Sequence, residues 1–323
     1  MTRLAAGSGA PGARLLGLGD YRPARVMTND EISQLVETSD IWIRERTGIV
    51  TRRIAAPDES VADMSTAAAA KALAAAGRSG DDVDLLLVAT CSEIDRLPGV
   101  AATVASRLGA VAPGAIDVNA ACAGFCYALS MAADAVRSGN ARHVVVVGVE
   151  KLSDFIDWND RGTCIIFADG AGAAVVGPAD EPGIGPVAWG SDGGRAELIT
   201  SRHSESFLLR MDGPAVFRWA TTQLAPVARA ACERAGIAPG DLRALVPHQA
   251  NVRIIDSLVR ALGLSDDVVV SRDIVESGNT SAASIPMALT RLIETGQVRS
   301  GDPALLLGFG SGLTYAGQVV LCP

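Results

Sequence analysis

Aromatic residues are scarce in this sequence, with 4 tryptophans, 3 tyrosines and 6 phenylalanines among 323 residues. Charged residues are also few, at 20%, whereas hydrophobic residues make up 49% and the mean hydropathy is +0.27. A core without many large rings has to be filled by alanine, valine and glycine, which bury apolar surface well only when helices and sheets approach closely. The composition therefore predicts tightly packed helices and sheets, one large or two ordinary domains, and a large subunit interface.

Long hydrophobic runs are absent. The most apolar stretch, residues 143–149, is far shorter than the roughly 20 residues of a membrane-spanning helix. Residues 1–14 are rich in glycine and alanine without a continuous apolar segment, so we expect a loose tail and no secretion signal. The net charge of −8 argues against nucleic-acid binding, although a local arginine cluster can still bind an acidic protein.

Cofactor and metal motifs are missing as well. Gly17 and Gly19 are followed by Pro23, which would end any helix there. The second glycine pair, Gly170 and Gly172, precedes a strand pattern and no helix. Neither pair fits a dinucleotide-binding motif, so no dinucleotide cofactor is predicted. The cysteines lack the spacing of a disulfide framework or a metal site, which fits a reducing cytoplasm. They are Cys91, Cys122, Cys126, Cys164, Cys232 and Cys322.

One cysteine lies where a strand is predicted to meet a helix. The run is Asp117-Val-Asn-Ala-Ala-Cys122-Ala-Gly-Phe-Cys126, with a strand over residues 115–118 and a mostly apolar helix continuing to about residue 137. The positive end of a helix dipole favours the thiolate and lowers a thiol pKa, so Cys122 is a candidate nucleophile. For a lone cysteine the alternative is a buried core residue. Cys126, one helical turn later, is expected in the core.

Two later segments support the first interpretation. They read Pro-His248-Gln-Ala-Asn251 and Gly-Asn279-Thr-Ser281. Taken alone, the histidine could be structural at a strand end and the asparagine could be a turn residue. No carboxylate directly adjoins either one, and Glu276 is the nearest in sequence. A shared site is the better explanation because all three segments together resemble a known family.

Together these segments resemble the active site of the β-ketoacyl-acyl-carrier-protein synthase III family, of the thiolase-like superfamily. The resemblance extends from Leu16 to Val320. It implies an α/β fold of five layers, αβαβα, usually in a homodimer, and a catalytic triad of Cys122, His248 and Asn279.

The same resemblance implies the reaction. The family condenses an acyl-CoA primer with malonyl-acyl-carrier protein, without a cofactor. Cys122 would attack the primer thioester, release CoA and hold the acyl group. Malonyl thioester would then lose CO2, and the enolate would attack the acyl-cysteine. His248 and Asn279 would serve as neutral hydrogen-bond donors to the thioester oxygen. A His-Asn pair fits this stabilisation of an enolate better than it fits hydrolysis.

Residues around the triad are also implied by the resemblance. The backbone N–H groups of Cys122 and of the turn at Ser311 would bind the acyl-cysteine carbonyl oxygen, and Phe309 would pack against the cysteine. The family commonly has glycine where this chain has Ser311. Leu97 falls where the family places a pocket-wall residue that reaches into the partner subunit's site. Because leucine is of intermediate size, the sequence does not decide whether the primer is an acetyl, a branched or a short-chain acyl group.

Two further sets of residues match family positions. Trp42 and Arg161 would enclose the CoA adenine and Arg46 would meet the CoA phosphates, although Trp42 also suits a helix core. A basic patch would bind the acidic carrier protein, although such arginines also suit an ordinary solvated helix face. This patch comprises Arg218, Arg253 and Arg260.

The sequence also contains a weak internal duplication. Ala76-Gly77 and Ala235-Gly236 each precede a Gly-Asp loop and a hydrophobic strand, with an offset of 235 − 76 = 159. The offset between the candidate asparagine and cysteine, 279 − 122 = 157, is close to this value, which suggests equivalent positions in the two halves. A Gly/Pro-rich segment divides the halves. We predict an N-terminal half at 13–180, carrying the nucleophile, and a C-terminal half at 181–323, carrying the histidine and asparagine.

Several alternatives remain at the level of sequence. A family member that transfers its acyl group to an alcohol or amine would tolerate loss of His248 or Asn279, and both are present. Hydroxymethylglutaryl-CoA synthase chemistry would need a glutamate near Cys122, which the sequence does not reveal. A non-catalytic partner subunit would lack the cysteine, and a redox pair with Cys126 would not explain the other two segments. Fatty-acid initiation and polyketide priming use the same residues and are not separated.

Overall fold

The computed structural model describes residues 7–95, 97–202 and 207–323. In chain order its strands are β1 (Gly12–Tyr21), β2 (Arg25–Thr28), β3 (Thr51–Ile54), β4 (Leu85–Ala89), β5 (Gly114–Val118), β6 (Val144–Lys151), β7 (Asp169–Ala179), β8 (Ala188–Ser191), β9 (Ile199–Ser201), β10 (Leu209–Met211), β11 (Ala244–Pro247), β12 (Val269–Val270), β13 (Pro303–Gly310) and β14 (Thr314–Leu321). Its α-helices are α1 (Asn29–Ser33), α2 (Asp40–Thr47), α3 (Val61–Ala75), α4 (Val100–Arg107), α5 (Gly124–Ser138), α6 (Gly213–Ala235), α7 (Val252–Leu262), α8 (Ile274–Ser277) and α9 (Ser284–Glu294).

Two five-stranded sheets have the same internal order. One reads β1–β7–β6–β4–β5, and the other, taken from the matching edge, reads β8–β14–β13–β11–β12. In each sheet the first three strands pair antiparallel and the last three pair parallel. The predicted α/β fold with two duplicated halves is thereby confirmed.

Helices and sheets alternate because both faces of each sheet are covered. In β6, Val144 and Val146 belong to a core shared with α5, α9 and the second sheet, whereas Val145 and Val147 belong to a core shared with α3 and α4. On the outer face of the second sheet, α6 and α7 pack over β11 and β13. The order of layers is therefore helices, sheet, central helices, sheet, helices, which is the predicted αβαβα arrangement.

The two central helices, α5 and α9, begin in the same way. Each follows a 3-10 turn that opens on a residue with positive φ, Ala121 at 46° and Ser281 at 47°. The asparagine two residues earlier, Asn119 or Asn279, accepts a hydrogen bond from that residue's N–H at 3.2 or 2.9 Å. The matching offset is 281 − 121 = 160, so Asn279 corresponds to Asn119. The suggestion that Asn279 corresponds to Cys122 is therefore wrong, because their offset of 157 differs from the offset of 160 between the two equivalent turns.

The N-terminal segment differs from the expected loose tail of residues 1–14. Residues 1–6 lie outside the described part of the chain, but β1 begins at Gly12 and Ala13 is completely buried. Further along β1, Gly17 and Gly19 allow the strand to approach α3, because a Cβ on either would lie 2.5 Å from the backbone of α3 or its C-cap residue. These glycines serve close packing between strand and helix.

The connection between the halves runs between β7 and β8. The N–H of Gly183 donates to the carbonyl of Ala13 at 2.9 Å, and the N–H of Leu321 donates to the carbonyl of Gly183 at 2.8 Å. The connection is thus bound to a strand of each sheet, and the division after residue 180 stays a prediction. Within the described residues no helix has both the length and the apolar character needed to cross a membrane.

Candidate active site

A cavity of about 760 Å³ lies where the two halves meet. Cys122, His248 and Asn279 all line it. Cys122 lies in the turn that enters α5, His248 follows the C-terminal end of β11, and Asn279 precedes the turn that enters α9. The structure therefore brings the three candidate residues, which are far apart in sequence, to one site.

Two backbone groups point at the sulfur of Cys122. They are its own N–H and that of Ser311, and both act on the thiol as hydrogen-bond donors. The close approach depends on Gly310, where a Cβ would lie 2.7 Å from the Cβ of Cys122 and 2.8 Å from its Sγ. Two preorganised N–H groups in this position can bind a negatively charged oxygen on a carbon attached to the sulfur.

The predicted lowering of the Cys122 pKa by the helix dipole is outweighed by burial. Burial raises the pKa of Cys122 to about 11 and the charge of Glu150 raises it further, against the lowering effects of the neighbouring Ser281 side chain and of the two backbone N–H groups. The start of α5 favours negative charge, but removing the sulfur from water penalises the thiolate more. The resting group is a neutral thiol, so its proton has to leave as the sulfur attacks.

His248 is also neutral. It is 2% exposed, and burial lowers its pKa to about 3. The hydroxyl of Ser284 lies 2.8 Å from the Nδ1 atom and accepts a hydrogen bond from the N–H of Gln249 at 3.2 Å. Because the hydroxyl oxygen already accepts from Gln249, its hydrogen is available for Nδ1, which favours the tautomer with the proton on Nε2. His248 can thus donate a hydrogen bond without carrying charge.

Asn279 is held by its backbone and by its amide oxygen. Its N–H donates to the carbonyl of Ile166 at 3.0 Å, and its carbonyl accepts from the N–H of Ala168 at 2.9 Å. The Oδ1 atom accepts from the N–H of Ser281, so the amide nitrogen is left as the donor toward the cavity. His248 and Asn279 therefore provide two neutral donors on one wall.

Ser311 is accommodated because its side chain turns away from the thiol. Its hydroxyl donates to the carbonyl of Ile199 at 2.7 Å, and the hydroxyl of Thr314 donates to the carbonyl of Ser311 at 2.9 Å. Phe309 is buried, and its ring packs edge-on against the ring of His248 with the two ring centroids 5.1 Å apart. Packing of Phe309 against Cys122 stays a prediction, whereas Gly310 is the residue that closely approaches the cysteine.

Comparison with known proteins agrees with this geometry. Residues 116–193 match the sequence profile of 3-oxoacyl-[acyl-carrier-protein (ACP)] synthase III, and residues 232–322 match the profile of its C-terminal part. β-Ketoacyl-[acyl-carrier-protein] synthase III 4 of Streptomyces coelicolor is 54% identical over 317 residues, covering 97% of this chain and 99% of the relative. This chain belongs to the synthase III family.

Other members are similar over the full length. The mycobacterial β-ketoacyl-[acyl-carrier-protein] synthase III of Mycobacterium bovis is 50% identical, with 100% of this chain and 99% of the relative covered. The crystal structure of the priming β-ketosynthase from the R1128 polyketide biosynthetic pathway has a TM-score of 0.97 and 48% identity, covering 100% of this chain and 99% of that one. The synthase III of Aquifex aeolicus has a TM-score of 0.92 at 40% identity and covers 96% of this chain and 100% of that one.

Trp42, Arg46 and Arg161 meet at one end of the synthase III cavity. The guanidinium carbon of Arg161 lies 4.9 Å from the centroid of the Trp42 ring, and that of Arg46 lies 5.5 Å from it. Arg161 also donates to the carbonyl of Glu37 at 3.1 Å. A base cannot fit between Trp42 and Arg161 at this separation, so enclosing adenine as predicted would require the arginine to move outward.

The three arginines of the predicted docking patch are all exposed but are not equally placed. Arg218 and Arg253 line the cavity mouth, and Arg253 lies 4.9 Å over the ring of Phe217. Arg260 lies two turns further along α7, outside the cavity lining. Among the described residues none of the three makes an ion pair, so their charge is available to a partner.

Leu97 is 90% exposed and does not line the cavity of its own chain. Of the other histidines, His143 is buried with Nδ1 3.2 Å from the carbonyl of Asp82, and burial lowers its pKa. His203 lies outside the described residues. Cys126 is completely buried in the central core, as expected.

Sequence reasoning missed Glu150, Ser281 and Ser284. Glu150 is completely buried at the end of β6 and accepts a hydrogen bond from the hydroxyl of Ser281 at 2.9 Å. A carboxylate therefore lies near Cys122, contrary to the sequence-based view that none could be placed there. One signal was available, since a fully apolar strand that ends in a charged pair, Glu150-Lys151, calls for an explanation.

Proposed function

We propose that this protein catalyses the decarboxylative condensation of an acyl-CoA primer with malonyl-acyl-carrier protein, giving a 3-ketoacyl-carrier protein. The observation that carries the proposal is the convergence of Cys122, His248 and Asn279 on one cavity, with two backbone N–H groups at the sulfur. Membership of the synthase III family supports the same reaction.

The residues divide into two groups of donors. Cys122 attacks the primer carbonyl, the backbone N–H groups of Cys122 and Ser311 bind the resulting oxyanion, and CoA leaves. His248 and Asn279 then bind the oxygen of the malonyl thioester, where negative charge accumulates as CO2 departs. The enolate carbon attacks the acyl-cysteine and the sulfur is released. No step needs a cofactor, because neutral donors stabilise each negative charge.

Substrate approach follows the charges at the cavity mouth. We propose that CoA lies against Trp42, Arg46 and Arg161, and that the acidic carrier protein contacts the patch of Arg218, Arg253 and Arg260. The phosphates of CoA and the acidic surface of a carrier protein both complement unpaired arginines. Thiol chemistry with unpaired cysteines favours a reducing cytoplasm as the location.

We further propose that the protein works as a homodimer. β5 pairs with β4 alone among the described strands, so its other edge offers unpaired backbone groups. Exposed apolar side chains lie on β5 and on nearby segments of the chain, with exposures of 90% for Leu97, 76% for Val111, 47% for Ile116 and 39% for Met131. A second copy paired along β5 would cover this edge and bring Leu97 to the partner's cavity.

The first test combines enzyme, malonyl-carrier protein and a panel of acyl-CoAs, followed by intact-mass measurement of both proteins. A carrier protein that gains the acyl mass less CO2 establishes condensation, and the primer that reacts fastest indicates the pathway. Acylated enzyme with unchanged carrier protein would overturn the proposal in favour of an acyltransferase acting on an alcohol or amine.

Variants locate the chemistry. Cys122→Ser should abolish the acyl-enzyme mass, whereas the matched change Cys126→Ser, one turn along α5, should leave acylation intact. His248→Ala should permit acylation but slow decarboxylation on the order of 100-fold, as removal of one oxyanion donor does elsewhere. Equal collapse of both steps in His248→Ala would contradict the division of roles.

A further inference from the structure

Glu150 is a buried carboxylate without a cation. It is completely buried, and within the described chain no Lys, Arg or His lies within ion-pair distance of it; the neighbouring Lys151 instead reaches Asp154 and the carbonyl of Pro57. Removing a carboxylate from water is costly, and a buried carboxyl group close to a candidate nucleophile is itself a candidate for a functional role.

The surroundings of Glu150 consist of donors. Its Oε1 accepts from the hydroxyl of Ser281 at 2.9 Å and from the thiol of Cys91 at 3.3 Å. Its Oε2 accepts from the hydroxyl of Thr90 at 3.2 Å and from the N–H of Cys91 at 3.1 Å. A carboxyl group that only accepts hydrogen bonds is held as the anion. Burial nevertheless raises the pKa of Glu150, so the group can take up a proton.

Ser281 links this carboxylate to Cys122. Its hydroxyl donates to Oε1 of Glu150 at 2.9 Å, and its side chain lies close enough to the Cys122 sulfur to influence the pKa of the thiol. Because the hydroxyl hydrogen is directed at Glu150, the oxygen of Ser281 can accept a hydrogen bond from the thiol of Cys122, and the three groups can then act as a chain. The backbone holds Ser281 there with φ at 47°, a left-handed conformation that serine rarely adopts.

We propose that Ser281 and Glu150 form a proton relay for Cys122 during acylation. This inference rests on the proposed condensation and adds two proton-transferring residues to it. As the sulfur attacks the acyl-CoA carbonyl carbon, the thiol proton passes to the oxygen of Ser281, and the hydroxyl proton of Ser281 passes to Glu150. A carbon–sulfur bond forms to Cys122 and the carbon–sulfur bond to CoA breaks. The proton returns through Ser281 to the departing CoA thiolate, so Glu150 is an anion before and after the step.

A purely structural role predicts a different result. Ser281 starts the 3-10 turn into α9 and its N–H holds Oδ1 of Asn279, so disturbing the turn would also impair decarboxylation. A purely electrostatic role predicts the opposite sign, because the charge of Glu150 raises the pKa of Cys122 and its removal would make the thiolate more available. Only the relay predicts slow acylation together with normal decarboxylation.

The experiment measures the two half-reactions separately on the full-length protein. Single-turnover acylation is followed by rapid quench and intact mass with an acyl-CoA that acylates the wild-type enzyme. Decarboxylation of malonyl-carrier protein is followed without a primer. We expect Glu150→Gln and Ser281→Ala each to slow acylation on the order of 100-fold, in the range of proton-transfer catalysis, and to change decarboxylation less than about threefold.

Two further proteins complete the design. The double variant Glu150→Gln/Ser281→Ala should acylate no more than about threefold slower than the slower single variant, because both residues act in one chain. Thr90→Val is the matched control, since it removes a hydrogen bond to the other oxygen of Glu150 and should retain near wild-type acylation. Thermal unfolding checks that each variant is folded, and Ser281→Gly substitutes for Ser281→Ala if the latter is not.

The outcomes are distinct. Wild-type enzyme that forms no acyl-Cys122 contradicts the proposed function itself. Wild-type acylation with undiminished rates in Glu150→Gln and Ser281→Ala overturns the relay alone. Equal losses in both half-reactions, or a loss in Thr90→Val as large as that in Glu150→Gln, would assign these residues to maintenance of the turn instead of proton transfer.

Discussion

The reactive side chains are uncharged at rest, and burial is the reason. Cys122 keeps its proton because burial raises its pKa to about 11, and His248 lacks a second proton because burial lowers its pKa to about 3. The amide of Asn279 has no charge to lose. Neutral donors can stabilise the negative charge that develops on the substrate during the reaction. The enzyme does not have to carry a charge of its own before substrate binds.

Burial of His248 also predicts how stability depends on pH. Its pKa of about 3 in the folded protein lies below the ordinary value of about 6.5, so the unfolded chain binds a proton that the folded chain does not. Stability therefore falls as pH decreases below about 6.5, and this residue should contribute a loss of about 2 kcal/mol between pH 7.5 and 5.0.

Urea unfolding of wild type and His248→Gln at pH 7.5 and 5.0 measures this contribution. We expect the variant to lose less stability on acidification than the wild type. His143, whose pKa burial also lowers, is present in both proteins and cancels from the comparison. An equal loss in both proteins would show that His248 is not held neutral.

At the scale of elements, short turns position the donors. The turn between β13 and β14 brings the N–H of Ser311 to Cys122, and the turns before α5 and α9 position Cys122 and Ser281. Each turn depends on a small residue or an unusual backbone angle. The catalytic geometry is therefore sensitive to changes that add a single carbon atom.

Gly310→Ala tests the turn between β13 and β14. The φ of Gly310 is 177°, which alanine tolerates, so the effect should be steric: the new Cβ would lie 2.7 Å from the Cβ of Cys122. We expect acyl-enzyme formation to be nearly lost and stability to fall by about 1–3 kcal/mol, as overpacking does. Gly240→Ala is the control, because its Cβ would meet nothing within 4 Å. Normal acylation by Gly310→Ala would contradict the close approach.

Helix α7 carries the docking prediction. Arg253→Glu should lower kcat/KM for malonyl-carrier protein about tenfold or more while leaving the acylation rate with acyl-CoA within about threefold, since a repulsive charge acts mainly on protein association. Arg299→Glu, an equal charge change on another exposed arginine, should alter neither value. Steady-state and single-turnover rates at low salt measure both effects. A similar loss in the two variants would indicate a general charge effect and no patch.

At the scale of the whole molecule, one edge of the first sheet is unfinished. β5 exposes Ile116, and the segment before α4 exposes Leu97, whereas the interior strands of both sheets are buried on both faces. Part of the exposed apolar surface therefore lies in the half that carries Cys122, where the large subunit interface predicted from composition could form. A second copy is the partner that we propose for this edge.

Ile116→Asp tests the dimer. A charge on the paired edge should prevent two β5 strands from meeting, so we expect a monomer in analytical ultracentrifugation at micromolar concentration, with lower activity if Leu97 completes the partner's cavity. Leu35→Asp is the matched control, because this exposed leucine follows α1 and is 49% exposed. Wild-type protein that sediments as a monomer would overturn the proposal directly.

The sequence by itself determined the fold class and the three central residues. The strand-to-helix junction around Cys122 and the repeated Gly-Asp loops are local patterns that can be recognised in the sequence alone. The runs around His248 and Asn279 were informative only together with the run around Cys122, because the three together resemble a family, whereas each alone also suits a structural role.

Only the tertiary structure decided the charges and the distant contacts. The protonation of Cys122 depends on how completely α5, α9 and β13 exclude water, and no sequence window contains that information. Glu150 and Ser281 belong to different halves and meet because the two sheets enclose α5 and α9. The equivalence of Asn279 and Asn119 likewise became visible only from the backbone angles of the residues two positions later. Equivalent residues of an internal repeat share a position in the fold, and the spacing between them along the chain can vary.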